Sequence, residues 1–200
     1  MKNLPIKADK WIKSLPKLVL NLYNNSNFKN EGVSPLEKTI HELLFTNFTL
    51  WGYENEARRK DVPDKYIADL KRNIDIQNQK RNDLIDTIDA ILRQDVEKKL
   101  KSISPKLPIN SETPSSIFDR LTILALRQYH LKKEIERKDA NKSHTQRCST
   151  MLKEVKERSS DLLKCLENLL EDVYLGKKRL KSYKQHKLYN DPELNPSLRK

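Results

Sequence analysis

The chain holds three glycines, at Gly32, Gly52 and Gly176, scattered too widely to bring successive backbone N–H groups onto one phosphate. That scarcity excludes a phosphate-cradling P-loop and a dinucleotide-binding GxGxxG turn, both of which need clustered glycine. Cysteine is equally scarce. Cys148 and Cys165 have neither CxxC nor Cys/His spacing, so no zinc site is indicated. On one helix they would stand about 25 Å apart, too far for an internal disulfide, and they read as core-lining thiols. No Pro/Gly/Ser-rich linker divides the 200 residues, so one domain is expected. Long apolar runs are also missing. The N-terminal region carries Lys2, Lys7, Lys10, Lys13 and Lys17, and its longest apolar stretch, Leu18 to Leu20, is too short for a signal sequence or a membrane span. A cytoplasmic protein with no transmembrane segment is the expectation.

What the chain has in quantity is charge. Charged residues make up 34% of it against 6% aromatics, and the net charge is +12. Such a balance suits exposed helices around a modest core. The densest basic run spans Lys177 to Lys187 and includes Lys178, Arg179, Lys181 and Lys184, with no acid among them. It is a candidate surface for nucleic acid or an acidic membrane, although no recognised nucleic-acid module accompanies it; a solvated lysine-rich surface is the plain alternative.

Helix starts are legible. Ser34, Pro35 and Glu37 supply an N-cap, a proline at the first helical position and a capping-box partner, predicting a helix from about Pro35 to Arg59. A break at residues 61–64 restarts the chain as a helix reaching about Lys101, about 55 Å long if unbroken. Pro105 and Pro108 mark the main connection. Thr113 before Pro114 caps a central helix to about Lys138, and Asn141, or Ser143 with Gln146, caps the last. That helix carries a coiled-coil-like seam from Leu152 through Ser159, Leu166 and Gly176 to Tyr183. The seam fits packing inside the bundle or, as the alternative, a homodimer. Residues 1–33 read as a basic amphipathic segment and 34–200 as the bundle with its tail. Trp11, Leu15, Leu18 and Leu22 give that segment an apolar stripe suited to docking on the bundle, with Pro16 expected to start or kink its helix. With no strand pattern, the fold class is all-α: a single-domain bundle of about five helices, several long and antiparallel, ending in an ordered Pro-containing tail.

Charged and amide residues interrupt three of the apolar stripes. Asn47, Glu54 and Arg58 share a face with Ile40, Leu44 and Trp51. Asn78 and Arg81 sit mid-stripe between Ile74 and Ile85, and Asp119 and Arg120 open the apolar run from Ile117 to Leu126. Buried charge costs several kcal/mol unless paired, so such residues serve a polar network or a ligand.

The same residues carry a resemblance. Asn47, Trp51 and Glu54, Asn78, Arg81 and Asp89, the run Asn110 to Pro114, Asp119 to Leu126 with Tyr129 and His130, and the tail Tyr189, Asn190, Asp191, Pro192 resemble a bacterial family, domain of unknown function 4254, over about residues 36 to 196. The resemblance implies an all-helical bacterial protein without an established activity. It carries a loose association with surface-polysaccharide gene neighbourhoods. His41, Glu42 and the first thirty or so residues fall outside its pattern.

These strands give a candidate inter-helix pocket lined by Asn47, Glu54, Asn78, Arg81, Glu112, Asp119 and Arg120, with Tyr189, Asn190 and Asp191 of the tail contributing. Two arginines suit an anionic small molecule, phosphorylated or sugar-nucleotide-like, because guanidinium offers a planar fork of donors. Glu54, Asp119 and His130 are the candidate acid–base groups. The opposing reading is a closed network in which Arg81 and Arg120 pair with Glu54 and Asp119 to fix helix register. A weaker candidate is a Mg²⁺ site using Asp83, Asp86 and Asp89, although steps of three residues sweep these carboxylates around the helix and favour a solvated acidic edge. A non-catalytic interaction protein using the seam or the basic run is the alternative function.

Overall fold

A computed structural model of the protein describes residues 8–24, 33–181, 183 and 188–199. Five α-helices account for most of it: α1 (Ala8–Asn24), α2 (Pro35–Glu56), α3 (Asp64–Lys99), α4 (Pro114–Glu136) and α5 (Lys142–Tyr174). The described residues contain no strand, only an isolated parallel bridge between Ile109 and Arg179. The fold is an all-α single-domain bundle. No described helix is long and apolar enough to cross a membrane.

Three helix starts follow their sequence signals. The Ser34 hydroxyl accepts from Glu37 N–H while the Glu37 carboxylate accepts from Ser34 N–H, closing a reciprocal capping box ahead of Pro35. Thr113 and Asn141 accept from the N–H groups of Ser116 and His144 in the same way. Helix α3 starts without a side-chain cap, after Pro63. Helix α2 ends at Glu56 rather than Arg59, because the chain turns where Arg59 bridges Glu56 and Asp61.

Helix α5 ends well short of the length its periodicity predicts. The seam expected to run as helix to Tyr183 stops at Tyr174. Gly176 adopts φ 67°, and the N–H groups of Gly176 and Lys177 return to the carbonyls of Val173 and Asp172 at 3.1 and 2.8 Å, forming a Schellman cap. Beyond it Arg179 N–H donates to Pro108 O, so Lys177, Lys178, Arg179 and Lys181 lie on non-helical chain beside the 100–113 connection. Lys184 and Lys187 of the basic run lie outside the described residues.

The two hairpins, α2 with α3 and α4 with α5, enclose a core centred on Leu43, Leu44, Ile88, Leu92, Phe118, Leu121, Leu126, Leu166 and Leu170. Each such side chain contributes about 1.5–3 kcal/mol by burial. The seam residues Leu162, Leu166, Leu169 and Val173 are buried in this core, which leaves that half of the seam unavailable to a second copy. Helix α1 joins the same core through Trp11, Leu15, Val19 and Leu22. Trp11 meets Phe118 edge to face at 5.1 Å and Tyr23 stacks on Tyr129 at 4.1 Å, so α1 runs parallel to α4. Pro16 lies inside α1 and does not end it. Its position on the exposed face lets the buried stripe hold the helix across the missing N–H. Cys148 is buried but Cys165 is exposed, correcting the expectation of two core thiols.

Candidate functional site

The three interrupted stripes meet at Asp119. This carboxylate is 4% exposed on α4 and receives a two-pronged grip from Arg81 of α3, Nε donating to Oδ1 at 2.8 Å and Nη2 to Oδ2. Asn47 of α2 adds a third donor, Nδ2 reaching Oδ1 at 2.8 Å. It also donates to Thr122 Oγ1 at 2.8 Å, and that hydroxyl donates to the Asp119 carbonyl. Three helices are thus tied at one buried carboxylate whose lone pairs are used by charge-assisted bonds. The bonds to Asp119 raise the affinity of Arg81 for its proton.

Above this knot an open cleft of about 510 Å³ lies between α2, α3 and α4. Asn47, Trp51, Glu54, Asn55 and Arg58 line it from α2, Asn78 and Arg81 from α3, and Ile123 and Arg127 from α4. Three guanidinium groups therefore face one carboxylate, Glu54, among the lining residues. Glu54 pairs with Arg58 at 2.7 Å at the rim, where the side chains are 47% and 71% exposed and the pair is solvent-screened. Arg127 has no hydrogen-bond or ion-pair partner among the described residues, and neither has Nη1 of Arg81. The cleft is thus lined by guanidinium donors without acceptors, while Asp119 is fully engaged below it.

Residues 37–182 match the family described as Protein of unknown function (DUF4254). The chain belongs to this family. No curated protein and no solved structure matches the chain. All the cleft residues fall inside the DUF4254 span, whereas α1 and the tail from residue 183 fall outside it.

Of the residues expected at one pocket, Asn47, Glu54, Asn78 and Arg81 line the cleft and Asp119 lies beneath it. Arg120 and Glu112 are elsewhere. One residue on from Asp119 is a turn of about 100° around a helix, so Arg120 points away from the knot and pairs with Glu112 beside the start of α4. It borders an adjoining hollow of about 150 Å³ with Arg158, which shares Ile123 and Arg127 with the cleft. The register-fixing pair is Arg81 with Asp119 alone; Glu54 and Arg120 have other partners.

His130 does not line the cleft. It stacks on Trp51 at 4.6 Å and 10° between ring planes, and its Nε2 is 2.6 Å from the Tyr23 hydroxyl. Burial lowers its pKa, which keeps the ring neutral at neutral pH, and burial with the neighbouring Tyr129 raises that of Tyr23 to about 12. His130 therefore backs the aromatic wall of the cleft.

The acidic edge disperses as the three-residue step requires. Asp83 accepts from Gln79 at 2.9 Å on the surface, while Asp89 is 3% exposed and accepts from Ser115 N–H at 3.2 Å. Burial raises the Asp89 pKa despite those bonds. Asp86 is half-buried between them. Among the described residues no group of three His, Cys, Asp or Glu side chains is placed to hold a metal ion, so Asp83, Asp86 and Asp89 share no Mg²⁺ point.

The tail is held by its own turns. Asp191 accepts from Glu193 N–H at 2.8 Å, and Asn195 Nδ2 donates to Tyr189 O at 2.8 Å. Asn190 reaches Gln79 of α3 at 3.5 Å, which brings the tail beside the helix that carries Asn78. Tyr189, Asn190 and Asp191 do not line the cleft itself.

Sequence reasoning missed Arg127, Asn55 and the lining role of Trp51. A signal for Arg127 was present: it follows Asp119 by eight residues and Ile123 by four, on the same face of α4. It lies one residue beyond the apolar run from Ile117 to Leu126, outside the stripe that carries the other polar interruptions.

Proposed function

We propose that the α2–α3–α4 cleft binds an anionic small molecule carrying phosphate, of the sugar-phosphate or nucleotide-sugar class. One observation carries the reading. Arg127 and Arg81 line a cleft of about 510 Å³, and neither Arg127 nor Nη1 of Arg81 has an acceptor among the described residues. That volume is in the range of small-ligand sites. Arg81 is preorganised for the role, since its fork is already locked on Asp119 and little rotamer freedom remains to lose. Asn55 and Asn78 offer amide donors and acceptors for sugar hydroxyls, and Trp51 an apolar surface for a ring. Glu54, the one carboxylate among the lining residues, supplies an acceptor for a hydroxyl. The family's loose association with surface polysaccharide accords with a sugar-containing ligand.

Isothermal calorimetry with inorganic pyrophosphate, a hexose 1-phosphate and a nucleotide sugar tests the proposal on wild type and on Arg127→Ala. Arg127 is exposed and unpaired, so its removal leaves the melting temperature within about a degree or two. Loss of one charge-assisted contact weakens binding about tenfold or more. Failure of all three compounds to bind, or equal binding by the variant, refutes the reading.

A further inference from the structure

A second cleft, of about 310 Å³, lies on the other side of α4, between it and α1 and α5, and is lined mostly by carbon. We propose that it binds a single-chain anionic amphiphile, the alkyl chain along α4 and the anionic head between Lys132 and Lys156. The cleft shares no lining residue with the one described above.

Its origin lies in the α4–α5 seam. A leucine-rich stripe would fill the space, but Ala125 of α4 and Ser159 and Ser160 of α5 stand there, and the small side chains leave a hollow roofed by α1. Two of the polar side chains that line it are tied to one another and to the backbone. Gln128 Nε2 donates to Ser159 Oγ at 3.0 Å, and Ser159 Oγ donates to the Val155 carbonyl at 2.8 Å. With carbon making up most of the lining, an apolar ligand body fits best.

The ends of the cleft differ. Leu121 and Leu163 close one end against Ile12 of α1; Lys132 and Lys156 stand at the other. The Gln128–Ser159 bond sets the antiparallel register, bringing Lys132, one turn after Gln128, level with Lys156, about one turn before Ser159. Both lysines are exposed, and neither ammonium has a partner among the described residues. From Leu121 to Lys132 the helix rises about 16 Å, a length that an extended medium-chain alkyl group spans. An apolar slot with two free cations at one mouth is complementary to a carboxylate or phosphate head on such a chain.

The test uses the full-length chain and calorimetric titration with dodecanoate, dodecyl phosphate and dodecanol below their micelle-forming concentrations. We expect one site per chain, with at least one anionic compound binding about fivefold more tightly than the alcohol; the carboxylate and phosphate arms identify the head. The double variant Lys132→Ala/Lys156→Ala abolishes that preference while the alcohol is unaffected. Ser160→Trp, a substitution at an exposed position that fills the slot, weakens all three without lowering the melting temperature. Equal affinity for the alcohol, an unchanged preference in the lysine variant, undiminished binding by Ser160→Trp, or several molecules bound per chain each overturns the proposal. Arg127→Ala leaves these titrations unchanged, which separates this site from the phosphate cleft.

Discussion

Arg81→Ala should destabilise the protein far more than removing a typical surface arginine. The substitution deletes both guanidinium contacts to Asp119 and leaves a carboxylate that is 4% exposed with Asn47 as its remaining side-chain donor. Removing one partner of a fully buried ion pair costs about 3–5 kcal/mol. The Arg81 side chain is 29% exposed, and water can enter the vacated space, so the expected loss is about 2–3 kcal/mol. For a chain of this size that corresponds to a fall in Tm of about 4–12 °C. Urea unfolding followed by circular dichroism gives the free energy directly. A double-mutant cycle isolates the pair: Arg81→Met with Asp119→Leu removes both charges, so it should cost less than the sum of the single changes by about 1 kcal/mol or more. In the double variant Asn47 keeps its bond to Thr122 and is not orphaned. A loss below about 0.5 kcal/mol for Arg81→Ala, the range of a neutral surface change, would refute the view that this pair ties α3 to α4.

Other outcomes follow from the same geometry. Burial holds the folded-state pKa of Asp89 above its ordinary value, so its contribution to stability is largest below the ordinary carboxylate range and is lost as pH rises through the raised value. Asp89→Asn, which can keep accepting from Ser115 N–H, should flatten that part of the stability–pH curve and leave stability at pH 7 equal or higher, as read by urea unfolding at stepped pH. His41 and His130 have pKa values lowered by burial, so their contribution is present above the ordinary histidine value and is lost as pH falls through the lowered ones. Melting temperatures should therefore decline on acidification below about pH 6.5, and His130→Gln should shrink the decline; an unchanged profile contradicts the assignment. Gly176→Ala should cost about 1–2 kcal/mol through the left-handed backbone alone, because a methyl there meets Leu100 Cδ1 at an ordinary 3.6 Å. A chemical melt of that variant within error of wild type would show that the α5 cap is not held in that conformation.

The all-α class, the capped starts of α2, α4 and α5, and the amphipathic stripe of α1 were legible because each depends on near neighbours along the chain, whereas the surface on which that stripe docks does not. Ser34 finds Glu37 three residues away whatever the rest of the molecule does. Gly176 illustrates the limit of periodicity. A glycine at a seam position fits a continuing helix, yet φ 67° makes it a stop, and the backbone bonds to Asp172 and Val173 decide between the two.

Helical periodicity fixes each residue's angle around its own axis, so the order of residues alone places polar groups within the apolar stripes of α2, α3 and α4. It did not determine which interruptions meet. That depends on the offset and rotation between helices joined by long connections, set by packing of residues such as Leu44, Ile88 and Phe118. Tertiary structure alone placed Asp119 under Arg81 and Asn47, turned Arg120 out to Glu112, and left Glu54 and Arg58 at an open rim. It also brought Arg127 to the same cleft. A helix's sequence specifies directions around one axis, whereas a site needs the distances between several axes, and only the packed core supplies those.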